Sequence, residues 1–263
     1  MPIDPTAIHA HFQAGHKAIN GFCSIPSTIV AEIVGRAGFD MLTIDLQHGL
    51  IDYQAALTML QVLQGLPAPV LARVPWNEPG IIGKMLDAGA AGVICPMVNT
   101  VQDARALVQA TRYAPLGGRS FGPARANMVY GPAYAKTANQ RVLVLAMIET
   151  RQALDNLDAI LAVDGIDGVY VGPSDLGLSL GYEPTLEPTA PEVLDAIAEI
   201  GRRAKAAGRI AGCHCGSVAM VRRLQAQGFD FGSLLTDMRI VTQAFAGHLA
   251  EYRAEVAQVV KGY

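Results

Sequence analysis

Apolar residues along this chain fall into short continuous runs separated by amphipathic stretches, and the alternation persists into the C-terminal third. GFCS, DMLTIDL, PVLARV, GVICPMV, VLVLAMI, DGVYVG, RIAGCH and FDFGSLL are eight such runs, rich in aliphatic and β-branched side chains. Continuous apolarity, rather than apolarity at every second position, predicts strands buried on both faces, as in a parallel sheet covered by helices. Between the runs the period lengthens to that of a helix. Ile29, Val30, Ile33, Val34 and Ala37 form one stripe that Gly38 closes, and Asn77 is placed to cap a helix carrying Ile81, Ile82, Met85 and Leu86 that Gly89 ends. Thr100 and Asp103 have capping-box spacing ahead of Ala104, Leu107 and Val108. Pro191 opens a helix with Val193, Leu194 and Ile197, and Ser217 precedes one with Val221 and Leu224. Eight strand–helix units in 263 residues predict α/β architecture, a single (β/α)8 TIM barrel over residues 1–263, with a doubly wound open sheet as the alternative.

Two segments interrupt the rhythm. The stretch from Pro115 to Gln140 contains GGRSFGPARANMVYGPAYAK and no strand pattern. So long a connection is expected to be an active-site lid or a subunit contact. Between Ser174 and Pro191, GLSLGYEPTLEPTAP is a second extension rich in Pro and Gly.

Composition narrows the function classes. The chain is 51% hydrophobic and 16% charged, enough apolar material for one large core, and its net charge of −3 offers no basic footprint for nucleic acid. The first residues lack a basic region followed by an apolar one, and no apolar run approaches the roughly 18 residues that span a bilayer. Cys23, Cys95, Cys213 and Cys215 show no disulfide-framework spacing, so a reducing cytoplasm is expected.

Candidate chemistry gathers where strands end. Glu149 follows LVLAMI and Asp175 follows GVYVG, which puts both carboxylates at the C-terminal rim of neighbouring strands. Converging carboxylates repel unless a proton or cation lies between them, and a hard divalent metal favours oxygen ligands. Helix capping is the plainer use of the same two residues. In IDLQHG, residues 44–49, Asp45 stands three positions before His48 and could orient its ring, making His48 a candidate general base; a solvated loop histidine is the alternative. Arg73 closes PVLARV and suits a carboxylate or enolate oxygen, or else a structural salt bridge with Glu78 or Asp87. The N–H groups of Ser174 and Asp175 head a short helix able to receive a carboxylate. CHC at 213–215 lacks a second ligand cluster, which favours packed thiols around a strand-end His214 over a zinc site. No GxGxxG follows the first strand, and no P-loop occurs. Lys17, Lys84, Lys136, Lys205 and Lys261 fall on helices or loops, so no lysine is placed for Schiff-base chemistry, and a metal is the expected electrophile.

IDLQHG, RVPWNEPGIIGKMLDAGAAGVICPMV, GGRSFGPARAN, IET and GVYVGPSDLGLSLGY together resemble the HpcH/HpaI-type class II aldolases, from about Gly21 to about Tyr182. The resemblance implies a metal-dependent (β/α)8 enzyme that cleaves 4-hydroxy-2-oxo acids to a pyruvate-like 2-oxo acid and an aldehyde, assembled as a hexamer built from dimers. It implies that Glu149 and Asp175 hold Mg²⁺, Mn²⁺ or Co²⁺. His48 paired with Asp45 would lie near the base water, and Arg73 would stabilise the enolate oxygen. The amides of Ser174 and Asp175 would take the carboxylate, and Asp87 would position a water or the aldehyde. The chain departs from the pattern at Met147, where the family often has Gln, and at Gln47, where many members have Glu. Rival expectations are a lyase of the citrate lyase β-subunit or isocitrate lyase type, and a barrel that binds 2-oxo acids without turnover.

Overall fold

The eight apolar runs become eight parallel strands in a computed structural model that describes residues 7–261. They are β1 (Ala18–Cys23), β2 (Met41–Asp45), β3 (Val70–Arg73), β4 (Gly92–Cys95), β5 (Leu143–Ile148), β6 (Gly168–Val171), β7 (Ile210–Cys215) and β8 (Phe231–Leu234). Each pairs with the next in chain order and β8 returns to β1, so the sheet closes as a barrel, not the open doubly wound alternative. The helices are α1 (Ile8–Gln13), α2 (Thr28–Arg36), α3 (Tyr53–Leu63), α4 (Pro79–Asp87), α5 (Val101–Thr111), α6 (Ala124–Tyr130), α7 (Tyr134–Arg141), α8 (Arg151–Asp155), α9 (Leu157–Leu161), α10 (Pro173–Ser179), α11 (Pro191–Ala206), α12 (Val218–Ala226) and α13 (Asp237–Lys261).

Strand geometry turns residue parity into two cores. Met41, Leu71, Leu145, Tyr170 and Phe231 point into the barrel, where Ile8 and Phe12 of α1 close its N-terminal end. Alternate residues such as Val144, Val169, Cys213 and Cys215 point outward beneath the helices. Gly212 is required by this packing, because a Cβ there would lie 2.1 Å from the Phe231 ring. The same parity continued to the strand ends aims Asp45, Arg73, Met147 and His214 at the C-terminal mouth.

Helix starts follow local hydrogen-bond chemistry. Thr100 and Asp103 form the reciprocal capping box that their spacing predicts. At α4, however, the cap is Glu78, whose carboxylate accepts from the N–H of Gly80 and Ile81. Asn77, expected there, instead donates to the Asp103 carbonyl. Pro79 at the first helical position explains the shift, since it fixes φ and needs no donor partner.

The Pro115–Gln140 stretch is not an unstructured connection, for it holds α6 and most of α7. Ala126, Tyr134 and Ala138 bury a small core of their own, Tyr130 Oη donates to the Gly89 carbonyl, and Arg125 donates to the Ala88 carbonyl. A helical apolar period, masked in sequence by Gly and Pro, accounts for the difference. The apolar stripe of α2 is likewise only half used, with Ile29 67% and Ile33 64% exposed. After β8 the chain runs into α13, along which every residue from 239 to 254 is exposed. No helix among the described residues is long and apolar enough to cross a membrane.

Candidate active site

A cavity of about 330 Å³ opens at the C-terminal mouth of the barrel, lined by residues that include Asp45, His48, Arg73, Met147, Ser174, Asp175 and His214. A larger groove of about 720 Å³ lies outside the barrel between α4, α5 and the segment after α5, away from the strand ends. The chemistry-bearing side chains gather in the smaller one.

Glu149 stands one residue past β5, on inward parity, and is 1% exposed. Its Oε1 accepts from the Met97 N–H at 2.8 Å, whereas Oε2 is buried without a partner. Burial, with the neighbouring Asp175 charge adding to it against the Met97 bond, pushes the Glu149 carboxyl up to about 7. A buried carboxylate oxygen left bare is costly unless a cation or proton meets it. Gly172 leaves the space open, since a Cβ there would come within 2.5 Å of Oε2 and 3.1 Å of the Met147 methyl. Among the described residues no group of three or more His, Cys, Asp or Glu side chains could hold a metal ion. A cation here would therefore take two protein carboxylates, Glu149 and Asp175, and fill its other positions with water or substrate oxygens. That donor set fits a hard divalent metal of the Mg²⁺ type.

Asp45 belongs to Arg73. The guanidinium Nε and Nη2 donate to its two oxygens at 2.8 and 2.7 Å, so the salt bridge expected with Glu78 or Asp87 is absent. Register explains the exchange, because Asp45 and Arg73 are direct partners across β2 and β3. Asp45 also accepts from the backbone N–H of Gln47 and His48, not from the His48 ring. Burial would raise the Asp45 carboxyl, but the Arg73 bonds and charge together with those N–H groups outweigh it and hold it low. The pairing leaves Arg73 Nη1 as the group free to meet a ligand. His48 is exposed at the mouth.

Ser174 and Asp175 occupy the first turn of α10 behind Pro173, where their N–H groups have no carbonyl one turn earlier in the helix. Asp87 is the expected site residue that the fold does not bring to this cavity. It lies at the end of α4 and pairs with Arg119 at 2.6 Å in the outer groove. Among the described residues no lysine lines the mouth cavity. Two polar residues there escaped the sequence reading. Asp237 accepts from the N–H and Oγ of Ser24 and ties the end of β8 to that of β1. His214 was placed at a strand end but given no chemistry, although its alternation with two outward cysteines signals an inward side chain.

The closed (β/α)8 barrel thus brings two acids and an ion-paired arginine to its C-terminal end, the face on which enzymes of this fold build their sites. The chain belongs to the HpcH/HpaI aldolase/citrate lyase family, whose sequence profile matches residues 21–244. It is 44% identical over 243 residues to a hydroxypyruvate/pyruvate aldolase of Rhizorhabdus wittichii, covering 92% of this chain and 97% of that one. It is 35% identical to a 4-hydroxy-2-oxo-heptane-1,7-dioate aldolase of Shigella sonnei, covering 96% and 97%. A crystal structure of an HpcH/HpaI aldolase/citrate lyase family protein from Burkholderia cenocepacia superposes with a TM-score of 0.87 at 28% identity, over 94% of this chain and 99% of that one.

Proposed function

We propose that this protein is a divalent-metal-dependent aldolase that cleaves 4-hydroxy-2-oxo acids to an aldehyde and pyruvate, or a close 2-oxo acid such as hydroxypyruvate, and joins them in reverse. The observation that carries the reading is the bare, buried Oε2 of Glu149 beside Asp175. Glu149 and Asp175 would hold Mg²⁺, Mn²⁺ or Co²⁺, which when bound polarises the 2-oxo group and acidifies the neighbouring C–H.

The chain's own groups divide the rest. The N–H groups of Ser174 and Asp175 receive the substrate carboxylate. Arg73, aligned by Asp45, offers Nη1 to the oxygen that gains charge as the enolate forms. His48 accepts the C3 proton, directly or through one water. Met147 brings a thioether where a Gln would offer hydrogen bonds, which makes this wall of the cavity apolar. Asp87 is given no role in the site of its own chain.

Supporting a homo-oligomer, proposed as a hexamer built from dimers, are the exposed Phe245, Leu249 and Tyr252 of α13 and the exposed Ile29 and Ile33 of α2. The four free, buried cysteines suit a reducing cytoplasm. The test is a panel of aldehydes with pyruvate or hydroxypyruvate, with added Mn²⁺ or with EDTA, read by mass spectrometry. Products that form equally in EDTA would reject the metal, and no product with any aldehyde would reject the aldolase.

A further inference from the structure

Below the cavity, a chain of fully buried hydroxyl and amide groups runs up the barrel interior to His214. Asn20 Nδ2 donates to Ser233 Oγ at 2.7 Å and to Thr43 Oγ1 at 3.0 Å. Ser233 Oγ therefore has an accepting bond, and the Tyr170 ring is buried in the same barrel interior. Tyr170 Oη in turn lies 3.0 Å from His214 Nδ1. A fully buried phenol must direct its proton at an acceptor, and Nδ1 is the acceptor within hydrogen-bond distance. Nδ1 then carries no hydrogen, and a neutral imidazole must hold its single N–H at Nε2. Nε2 meets no protein partner among the described residues, and the ring lines the mouth cavity. Burial, reinforced by the Arg73 charge, holds the ring's pKa down to about 3, so the imidazole stays neutral. His214 is thus a fixed donor and not a base.

Its position relative to the rest of the machinery indicates what it serves. The Phe22 ring carries the Arg73 guanidinium at 5.0 Å and meets the His214 ring edge-on at 4.9 Å, so the two donors flank one side chain. Arg73 and the α10 amides account for the oxygens of the 2-oxo acid. The remaining oxygen is that of the aldehyde. When enolate C3 bonds to the aldehyde carbon, the carbonyl π pair moves onto this oxygen, and the alkoxide then takes a proton from solvent. We infer that His214, held as its Nε2–H tautomer by Tyr170, donates a hydrogen bond to the aldehyde oxygen and stabilises the alkoxide in both reaction directions. The inference rests on the aldolase reading and adds to it the residue that binds the electrophile.

Replacing His214→Phe keeps a ring beside Phe22 and removes the donor. Two assays with pyruvate and Mn²⁺ separate the half-reactions. Solvent deuterium entering the pyruvate methyl group without aldehyde reads enolate formation, and addition to acetaldehyde reads carbon–carbon bond formation. The variant should exchange deuterium at the wild-type rate and add acetaldehyde about 10²–10³-fold more slowly, as for other lost oxyanion donors. Equal loss in both assays, or no loss in addition, would overturn the assignment. A wild type that exchanges no deuterium would overturn the aldolase reading and this inference with it. Two-bond ¹H–¹⁵N correlations on the intact wild-type protein give a check that does not depend on variant folding. They should show His214 protonated at Nε2, and a Nδ1–H tautomer would remove the donor from the cavity.

Discussion

Removing the Arg73 guanidinium should lower both stability and turnover, and the two losses should be separable. Asp45 is 1% exposed and receives its two shortest hydrogen bonds from Arg73, at 2.8 and 2.7 Å. The backbone bonds that would remain, from Gln47 and His48, are longer at 3.1 and 3.3 Å. Arg73→Ala therefore strands a buried carboxylate, which typically costs about 3–5 kcal/mol. Arg73→Ala with Asp45→Asn removes the stranded charge, leaves an amide that still accepts from the backbone, and should recover most of that stability. Turnover should not return with it, because Nη1 is gone in both variants, and loss of one oxyanion donor costs about 10²–10³-fold. Arg73→Lys should keep the ion pair with Asp45 but recover little turnover, since an ammonium lacks the planar fork that bonds Asp45 and substrate together. Urea unfolding with an unchanged m-value gives the stability arm, and deuterium exchange into pyruvate gives the catalytic arm. Turnover that returns with stability in the double variant would show Arg73 to be structural. A double variant no more stable than Arg73→Ala would show that the stranded carboxylate is not the source of the cost.

Glu149→Gln should abolish Mn²⁺ binding in isothermal titration while leaving the fold intact, and retained affinity would remove Glu149 from the ligand set. The raised Glu149 carboxyl, about 7 against an ordinary 4.5, means the folded state prefers the protonated form. Its stabilising contribution is full below pH 4.5 and is lost as pH rises through 7, about 3 kcal/mol in metal-free protein. Saturating Mn²⁺ should cancel that decline in thermal unfolding, and an identical pH profile with and without metal would refute the assignment. His48→Ala should slow deuterium exchange by about 10²–10⁴-fold at unchanged Mn²⁺ affinity, and exchange at the wild-type rate would exclude His48 as the base. Phe245→Glu with Leu249→Glu should shift the particle mass in light scattering from an assembly to the monomer, whereas a wild type already monomeric would rule out α13 as a contact.

The alternation of continuous apolar runs with amphipathic stretches pointed to eight parallel strands buried on both faces, but strands of an open doubly wound sheet read the same way, so closure into a barrel was decided only by the pairing of β8 with β1. Glu149, Asp175, Arg73, Asp45 and His48 were legible as candidates because they stand at or within a few residues of the ends of such runs, and parallel strands all end at one rim. The partners of those residues were not legible. Asp45 was read as a partner of His48, three residues away, yet strand register sets it opposite Arg73 from the next strand. Asp87 was read from its motif as a site residue, but its helix carries it to the outside of the barrel and to Arg119. His214 was legible as a strand-end histidine, but the donor role inferred for it depends on Tyr170, which comes from a neighbouring strand and meets its ring only once the sheet forms. Sequence spacing encodes which face a side chain takes within its own element. Hydrogen-bond partners across elements depend on register and closure, and these are properties of the whole sheet, not of any one segment.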